Sequence, residues 1–185
     1  IDYSLQAISE ISKEYDIIFP RFEIPVEKKF LMELEKISEQ YPDKLFINCP
    51  RSKRIHWEKN YLQEFVNTDF LPKTVVTNNY QRIKDFVYNL NKPTVIKPID
   101  ANGGKGILKL EPLINYKELE NIVNRYTNNG VKDVVVQQYI ENVETLGDKR
   151  ITVFLYEPIK EGVKVRLPAE GSFLCNYSSG GSIHP

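Results

Sequence analysis

The sequence is poor in cysteine, carries no excess of charge of either sign and contains no long apolar run. Its 185 residues include two cysteines, Cys49 and Cys175, too few for a disulfide framework and not in a metal-binding spacing. This usage favours a reducing cytoplasm. Lys plus Arg and Asp plus Glu both number 25, which argues against a nucleic acid or an anionic membrane held by bulk charge. No stretch approaches the roughly 20 apolar residues that a membrane-spanning helix requires.

The composition that is present is that of a globular protein. Hydrophobic residues make up 41% and charged residues 27%, and the length suits one domain, or one small domain with part of another. The chain starts at Ile1 with neither an initiator Met nor the basic start of a signal peptide. We therefore expect it to begin inside a longer protein.

The first third of the sequence predicts a strand, a helix and a second strand. Residues 17–19 indicate a short, largely buried strand, and residues 44–48 a second one. Apolar side chains recur between them at helical spacing, at Val26, Phe30, Leu31, Leu34 and Ile37. Such a unit is typical of a parallel sheet. A helix over about residues 57–66 is predicted to follow.

The remainder predicts further strands and helices in alternation. Strands are expected at 73–77, from Thr94, at 106–110 and at 134–136, with Asn78 and Asn79 as caps of one helix and residues 128–130 as the stop of another. Residues 151–156 and 163–167 predict a hairpin. Beyond Pro168 we expect an open loop.

A glycine-rich turn between two of these strands is the most informative segment. Gly103, Gly104 and Gly106 allow several backbone N–H groups to face one ligand, as phosphate oxygens require, and Lys105 would add charge. The spacing is neither a Walker A loop nor a dinucleotide fingerprint, because no helix follows directly. A tight hairpin with solubilising lysines is the alternative. The position of Lys97 favours a ligand-binding loop over a plain hairpin, because Lys97 lies in an apolar run where a buried ligand anion would stabilise its charge.

Val-Ile-Lys-Pro at 95–98 and Asp-x-x-Gly-Gly-x-Gly-Ile at 100–107 resemble the central strand and phosphate loop of ATP-grasp enzymes. More narrowly, the sequence resembles bacterial glutathione synthetase from about residue 16 onward. Further pieces match in the order of that family: Asn48-Cys49-Pro50, Ser52, Glu58-Lys59, Gln137-Gln138-Tyr139-Ile140, Asp148-Lys149-Arg150, Arg166-Leu167-Pro168, Asn176 and Gly180-Gly181.

The resemblance implies an α/β (α+β) ATP-grasp fold, incomplete, that follows part of a Rossmann-like domain. Residues 1–72 would be the partial pre-ATP-grasp domain and a connecting helix. Residues 73–136 would be the small lid subdomain, and residues 137–185 the start of the C-terminal subdomain.

The resemblance also assigns site residues. Those implied to bind ATP are Lys59, Lys97, Gly103, Gly104, Lys105, Gly106, Ile107, Gln137, Gln138, Tyr139 and Ile140, the last four through backbone groups that face adenine. The implied catalytic residues, which would face an acyl phosphate, are Arg150 and Arg166, because guanidinium groups bind anions at two points. The implied substrate residues are Arg21, Asn176, Gly180 and Gly181.

Each assignment has a simpler alternative. Lys59 could be an exposed helix charge, Asp100 a turn residue, and Gln137–Ile140 only a strand end. Arg150 and Arg166 could form ordinary surface ion pairs. Residues 176–181 could be a disordered terminus.

The implied reaction begins with attack of a substrate carboxylate on the γ-phosphate of ATP. An amine then attacks the acyl phosphate and an amide forms, which in glutathione synthetase joins γ-glutamylcysteine to glycine. Magnesium ligands are expected beyond Pro185, so we expect this chain alone to be inactive. The resembling enzymes are multimers, so a homo-oligomer is compatible with the resemblance.

One departure from the family pattern leaves the substrate open. Leu174 stands where the family has an arginine, two residues before the loop asparagine. A related ATP-grasp peptide or amino-acid ligase, a non-catalytic nucleotide-binding module and a plain structural α/β domain therefore remain as alternatives.

Overall fold

A computed structural model of the chain describes residues 5–21, 26–55, 59–154 and 156–185. It separates into two units, Ile1–Phe65 and Val66–Pro185. The predicted domain boundaries after residues 72 and 136 stay predictions.

The first unit contains two short parallel strands joined through a helix. Its helices are α1 (Leu5–Glu14), α2 (Lys28–Gln40) and α3 (Pro50–Ile55); its strands are β1 (Ile17–Ile18) and β2 (Leu45–Phe46); a 3-10 helix spans Asn60–Glu64. β1 and β2 pair in parallel, with Ile17 opposite Leu45. The core consists of Ile8, Ile18, Leu34, Ile37 and Phe46. The predicted strand–helix–strand unit is confirmed.

Two details of the prediction for this unit are wrong. Residues 17–19 are not largely buried, since Ile17 and Phe19 are 61% and 58% exposed. Successive strand residues point to opposite faces, and the core covers only the face of Ile18. Instead of an α-helix over 57–66, the chain forms the 3-10 helix. Lys59 provides no side-chain cap to this 3-10 helix, and the apolar side chains of Tyr61 and Phe65 are exposed, so burial contributes little to a longer helix. Residues 56–58 lie outside the described residues.

The second unit is built on a four-stranded antiparallel sheet with strand order β3-β6-β4-β5. Its elements are β3 (Thr74–Thr77), α4 (Tyr80–Leu90), β4 (Thr94–Pro98), β5 (Leu108–Leu110), α5 (Tyr116–Thr127) and β6 (Val134–Gln138). The strands and both helices were predicted from the sequence, and the structure confirms them.

The two faces of this sheet differ in what covers them. Side chains that alternate along the strands pack against helices α4 and α5 and form a core of Ile83, Val87, Ile96, Leu110, Leu119, Val123, Val134 and Val136. Val95 and Lys97 alternate with Ile96 on β4, and Val95 lies directly opposite Gln137 on β6. These three residues therefore occupy the other face, which the helices leave uncovered for a site.

Asparagines begin and end the two helices. The side chain of Asn79 accepts a hydrogen bond from the N–H of Arg82 at 3.0 Å, and that of Asn115 from the N–H of Lys117 at 2.8 Å. Asn128 adopts the left-handed conformation after α5, with φ 50°. The predicted cap at Asn79 and the predicted stop after α5 are confirmed.

The last part of the chain forms a three-stranded sheet with order β11-β10-β7. The short helix α6 (Val143–Leu146) precedes β7 (Asp148–Arg150); β8 (Val153–Phe154) pairs with β9 (Glu157–Pro158); β10 (Lys164–Leu167) and β11 (Ser182–His184) follow. The predicted partner of 163–167 is wrong: β10 pairs with β7, because Arg166 and Asp148 lie opposite each other and bind across the strands. Residues beyond Pro168 are also not an open loop, since β11 pairs with β10.

Candidate functional site

A cavity of about 590 Å³ lies within the second unit. The uncovered face of the large sheet supplies part of its wall, and the segments around β7 and before β11 supply the rest. The residues that line it are Val95, Lys97, Ile107, Gln137, Gln138, Tyr139, Ile140, Asn142, Val143, Leu146, Gly147, Asp148, Lys149, Phe173, Leu174, Cys175 and Asn176. Seven of the residues selected from the sequence therefore share one cavity: Lys97, Ile107, Gln137, Gln138, Tyr139, Ile140 and Asn176.

Lys97 is half-buried and lines this cavity, as its place in an apolar strand predicted. Its ammonium donates a hydrogen bond of 2.8 Å to Oε1 of Gln137 on the neighbouring strand. A polar partner reduces the cost of burying the charge. The position therefore suits a cation that meets an anionic ligand.

The backbone N–H groups of the last residue of β6 and of the residue after it are bonded to neighbouring segments. The N–H of Gln138 donates to the carbonyl of Lys73 at 2.8 Å, and the N–H of Tyr139 to that of Pro93 at 2.9 Å. Neither N–H is available to a ligand. Of the backbone groups predicted to contact adenine, those that remain are the groups of Ile140, which is 54% exposed, and the carbonyl groups of this segment.

Tyr139 is buried at the end of β6 within a polar and aromatic cluster. Its hydroxyl donates to Glu144, the ammonium of Lys109 lies 4.2 Å from its ring centroid, and the ring of Phe173 meets it edge-on at 5.8 Å. Burial raises the pKa of the Tyr139 hydroxyl. The Tyr139 and Lys109 hydrogen bonds lower the pKa of Glu144. The cluster fixes the ring that forms this part of the wall.

The glycine loop contacts the turn at residues 176–179. Gly103, Gly104 and Gly106 all have positive φ, at 64°, 81° and 67°. The carbonyl of Gly103 accepts hydrogen bonds from the hydroxyls of Ser178 at 3.1 Å and Ser179 at 3.3 Å. The predicted phosphate loop and the predicted substrate loop therefore meet.

The other residues of these two loops have distinct positions. Lys105 is exposed on the glycine loop, and Asp100 pairs with Lys132. Gly180, with φ 88°, ends the 3-10 helix Tyr177–Ser179. Gly181 is buried, and its N–H donates to the carbonyl of Asn176 at 3.1 Å. Residues 176–181 form a turn around the 3-10 helix Tyr177–Ser179.

Of the two predicted catalytic arginines, Arg166 has a fixed guanidinium. It donates two hydrogen bonds of 2.7 Å to Asp148, one to each carboxylate oxygen, and this interaction raises the pKa of Arg166. Arg150 ends β7 and is exposed, so solvent meets its charge. Asp148 was not selected from the sequence, although it lines the cavity. The sequence places it in the family-matching piece Asp148-Lys149-Arg150, and the pairing of β7 with β10 shows its partner.

Lys59 and Arg21 belong to the first unit. Lys59 is half-buried at the start of the 3-10 helix. Arg21 is exposed, and its guanidinium carbon lies 5.9 Å from the ring centroid of Phe19. Their predicted roles stay predictions.

No cluster of three or more His, Cys, Asp and Glu residues that could hold a metal ion is found in the part of the chain that the structure describes. Both cysteines are free thiols; Cys49 is exposed and Cys175 is buried.

The second unit, with its antiparallel sheet and the helices on one face, has the fold of an ATP-grasp domain. The profile of the prokaryotic glutathione synthetase ATP-grasp domain matches residues 58–185, which is more than half of the chain, and the chain belongs to that family. The resemblance and the ATP-grasp fold predicted from the sequence are confirmed. The preceding Rossmann-like domain stays a prediction.

Curated relatives agree with this assignment, and a solved structure agrees with the fold. The chain is 35% identical over 139 residues to the glutathione synthetase of Thermosynechococcus vestitus, covering 75% of this chain and 41% of the relative. It is 32% identical over 188 residues to the glutathione synthetase of Gloeobacter violaceus, covering 98% of this chain and 56% of the relative. The crystal structure of a D-cycloserine synthetase superposes with a TM-score of 0.66 at 19% identity, covering 84% of this chain and 54% of that one, and shows the same fold.

The chain thus spans about half the length of the curated relatives it matches. Among the described residues, no helix is both long enough and apolar enough to cross a membrane.

Proposed function

We propose that the protein containing this chain is an ATP-dependent carboxylate–amine ligase that works as glutathione synthetase does. The observation that carries the proposal is the convergence of Lys97 and the predicted adenine edge on one cavity, with the glycine loop held against the turn that begins at Asn176. Family membership supports the same reaction class.

The phosphate end of ATP would lie near Lys97 and the glycine loop. Lys97 supplies a half-buried cation, whose attraction to a phosphate is stronger than that of an exposed lysine because water screens it less. Gly103 and Gly104 adopt positive φ angles that favour glycine, and backbone N–H groups of this loop would contact the phosphates. Lys105 would approach the phosphates from the exposed side of the loop.

The base of ATP would lie against the segment Gln137–Ile140. Tyr139 and Phe173 provide aromatic surface there, and Ile140 is the exposed residue at the edge. Val95, Ile107 and Leu146 supply apolar wall, as adenine sites generally require around a few polar groups.

Arg166 and Arg150 would bind the acyl phosphate and the substrate, with Asn176, Gly180 and Gly181 shaping the substrate loop. Arg166 suits this role because Asp148 fixes its orientation. Lys59 and Arg21, which belong to the first unit, are proposed as an ATP-binding and a substrate-binding residue from the family resemblance alone. Such residues act by positioning reactants and offsetting negative charge, which is how phosphoryl transfer is generally catalysed.

Magnesium, when bound, would neutralise charge on the phosphates of ATP. No cluster of three His, Cys, Asp or Glu side chains is found among the described residues, so we assign no step to the metal through them.

The proposed substrates are γ-glutamylcysteine and glycine, and the proposed location is the cytoplasm, which two free thiols favour. Assembly as a homo-oligomer is compatible with this proposal. A related acid–amine ligase is the second candidate. Leu174 favours it, because an apolar side chain lines the cavity where the family pattern has an arginine.

The variant Lys97→Ala tests the proposal, with Lys117→Ala as the control for the loss of a lysine on the exposed surface of α5. We expect ATP to raise the thermal stability of the parent, since a ligand that binds only the folded state stabilises it. Lys97→Ala should weaken ATP affinity by about tenfold or more, whereas Lys117→Ala should leave it unchanged. An unchanged response of Lys97→Ala to ATP would contradict the assignment of the phosphate site.

In the full-length protein, turnover of ATP with γ-glutamylcysteine and glycine would be compared with turnover on other acid–amine pairs. Preference for another pair would favour the second candidate. No turnover with any pair, with ATP still bound, would indicate a nucleotide-binding module.

A further inference from the structure

A chain of three hydrogen bonds connects the cavity with the far edge of the sheet. Lys97 on β4 donates to Oε1 of Gln137 on β6 at 2.8 Å, and Nε2 of Gln137 donates to the hydroxyl of Thr74 on β3 at 2.8 Å. Thr74 in turn donates to the carbonyl of Pro72 at 2.6 Å. The chain crosses three adjacent strands and joins side chains on one face, since Thr74 and Gln137 are paired opposite each other.

The direction of every bond in this chain is fixed by its two ends. A lysine ammonium can only donate, and a backbone carbonyl can only accept. The Thr74 hydroxyl has one proton, and it donates this proton in its hydrogen bond to the carbonyl of Pro72. The hydroxyl oxygen of Thr74 must therefore accept the hydrogen bond from Gln137. The carboxamide of Gln137 therefore presents Nε2 to Thr74 and Oε1 to Lys97.

We propose that Thr74 is a positioning residue for nucleotide binding, which acts through Gln137 to hold the ammonium of Lys97 in the cavity. The inference rests on the proposed function of Lys97. Nothing in the side chain of Thr74 needs to touch the ligand, because Gln137 lies between Thr74 and Lys97 and Thr74 is not among the lining residues of the cavity.

The loss of the hydroxyl would release the carboxamide of Gln137. In Thr74→Val the Nε2 group loses its acceptor, so the orientation of the carboxamide is no longer held from the side of β3. Gln137 would then hold the ammonium of Lys97 less firmly in the cavity. Thr74→Ser keeps the hydroxyl and should keep the chain intact.

The experiment compares four forms of the chain: the parent, Thr74→Val, Thr74→Ser and the control Thr127→Val. Thr127 also donates to a carbonyl, that of Val123 at 2.8 Å, and accepts from the N–H of Gly130 at 3.0 Å, but it lies at the end of α5. Its substitution removes the same number of hydrogen bonds away from the cavity. ATP affinity is measured for each form by calorimetry.

A second measurement needs no nucleotide. The side-chain amide signals of Gln137 are recorded by NMR, together with the exchange of their protons with solvent. We expect slow exchange in the parent and in Thr74→Ser, and faster exchange with shifted signals in Thr74→Val.

The expected result for ATP is an affinity about fivefold weaker for Thr74→Val, with Thr74→Ser and Thr127→Val close to the parent. If Thr74→Val binds ATP as the parent does while Lys97→Ala does not, the positioning role is overturned and the proposed function stands. If Thr127→Val weakens ATP binding as much as Thr74→Val, the effect is general stability and the positioning role is again overturned. If the parent itself binds no ATP, both the proposed function and the positioning role fail.

Discussion

Asp148 on β7 and Arg166 on β10 lie directly opposite each other and are joined by two parallel hydrogen bonds of 2.7 Å. Their side chains are 37% and 23% exposed, so water reaches the pair but does not surround it. The pair both fixes the register of two strands and orients a guanidinium that we propose for the substrate site.

Replacement of this carboxylate should cost stability. We expect Asp148→Asn to lower the free energy of unfolding by about 1 kcal/mol, because the amide keeps the shape but loses the charge and one acceptor. Urea unfolding measures the change. Glu161→Gln, at an exposed carboxylate in the same part of the chain, should change it by less than about 0.5 kcal/mol. Equal effects of the two substitutions would show that the Asp148–Arg166 pair contributes nothing to the free energy of unfolding.

The contact of the glycine loop with the turn at Asn176 can be tested at Gly104. A Cβ there would lie 2.9 Å from Oδ1 of Asn176 and 3.0 Å from the hydroxyl of Ser179, at a φ of +81°. Gly104→Ala should therefore displace the turn, and hydrogen exchange of residues 174–181 should become faster. Gly171→Ala is the matched control, because Gly171 has a φ of +75° with nothing within 4 Å of the added carbon. If hydrogen exchange of residues 174–181 becomes faster in both variants, the cause is backbone strain and not the contact with the turn.

The two thiols should differ in reactivity. Cys49 is exposed, and the backbone N–H of Ser52 lowers its pKa, whereas burial raises the pKa of Cys175. Since the thiolate is the reactive form, Cys49 should be alkylated at a lower pH and faster than Cys175. Iodoacetamide labelling followed by mass spectrometry, at several pH values between about 6.5 and 8.5, checks this order around the ordinary thiol pKa. Cys49→Ser should leave one slowly reacting thiol; rapid labelling of that variant would show that Cys175 is open to solvent.

The core between α5 and the sheet should be sensitive to truncation. Leu119 is fully buried, so Leu119→Ala should lower the free energy of unfolding by about 2–5 kcal/mol through lost burial and the cavity left behind. Leu113 is 90% exposed, and Leu113→Ala should change it by less than about 0.5 kcal/mol. Similar values for both leucines in urea unfolding would contradict the packing of α5 on the sheet.

Elements whose signals are local could be predicted from the order of the residues. The apolar periods of α4 and α5, the caps at Asn79 and Asn128, and the alternation of β4 are set by neighbours a few residues apart, so they could be predicted. The glycine loop and Lys97 were recognisable for the same reason, and so was the family.

Contacts between residues far apart in the sequence depend on the folded arrangement of the strands. Thr74 binds Gln137 across 63 positions, Lys97 binds Gln137 across 40, and Asp148 binds Arg166 across 18. Strand pairing sets these contacts, and a short polar segment such as β7 carries no apolar pattern that would name its partner. The exposure of Ile17 and the pairing of β11 with β10 have the same cause, because burial and edge pairing depend on what packs there and not on the local sequence.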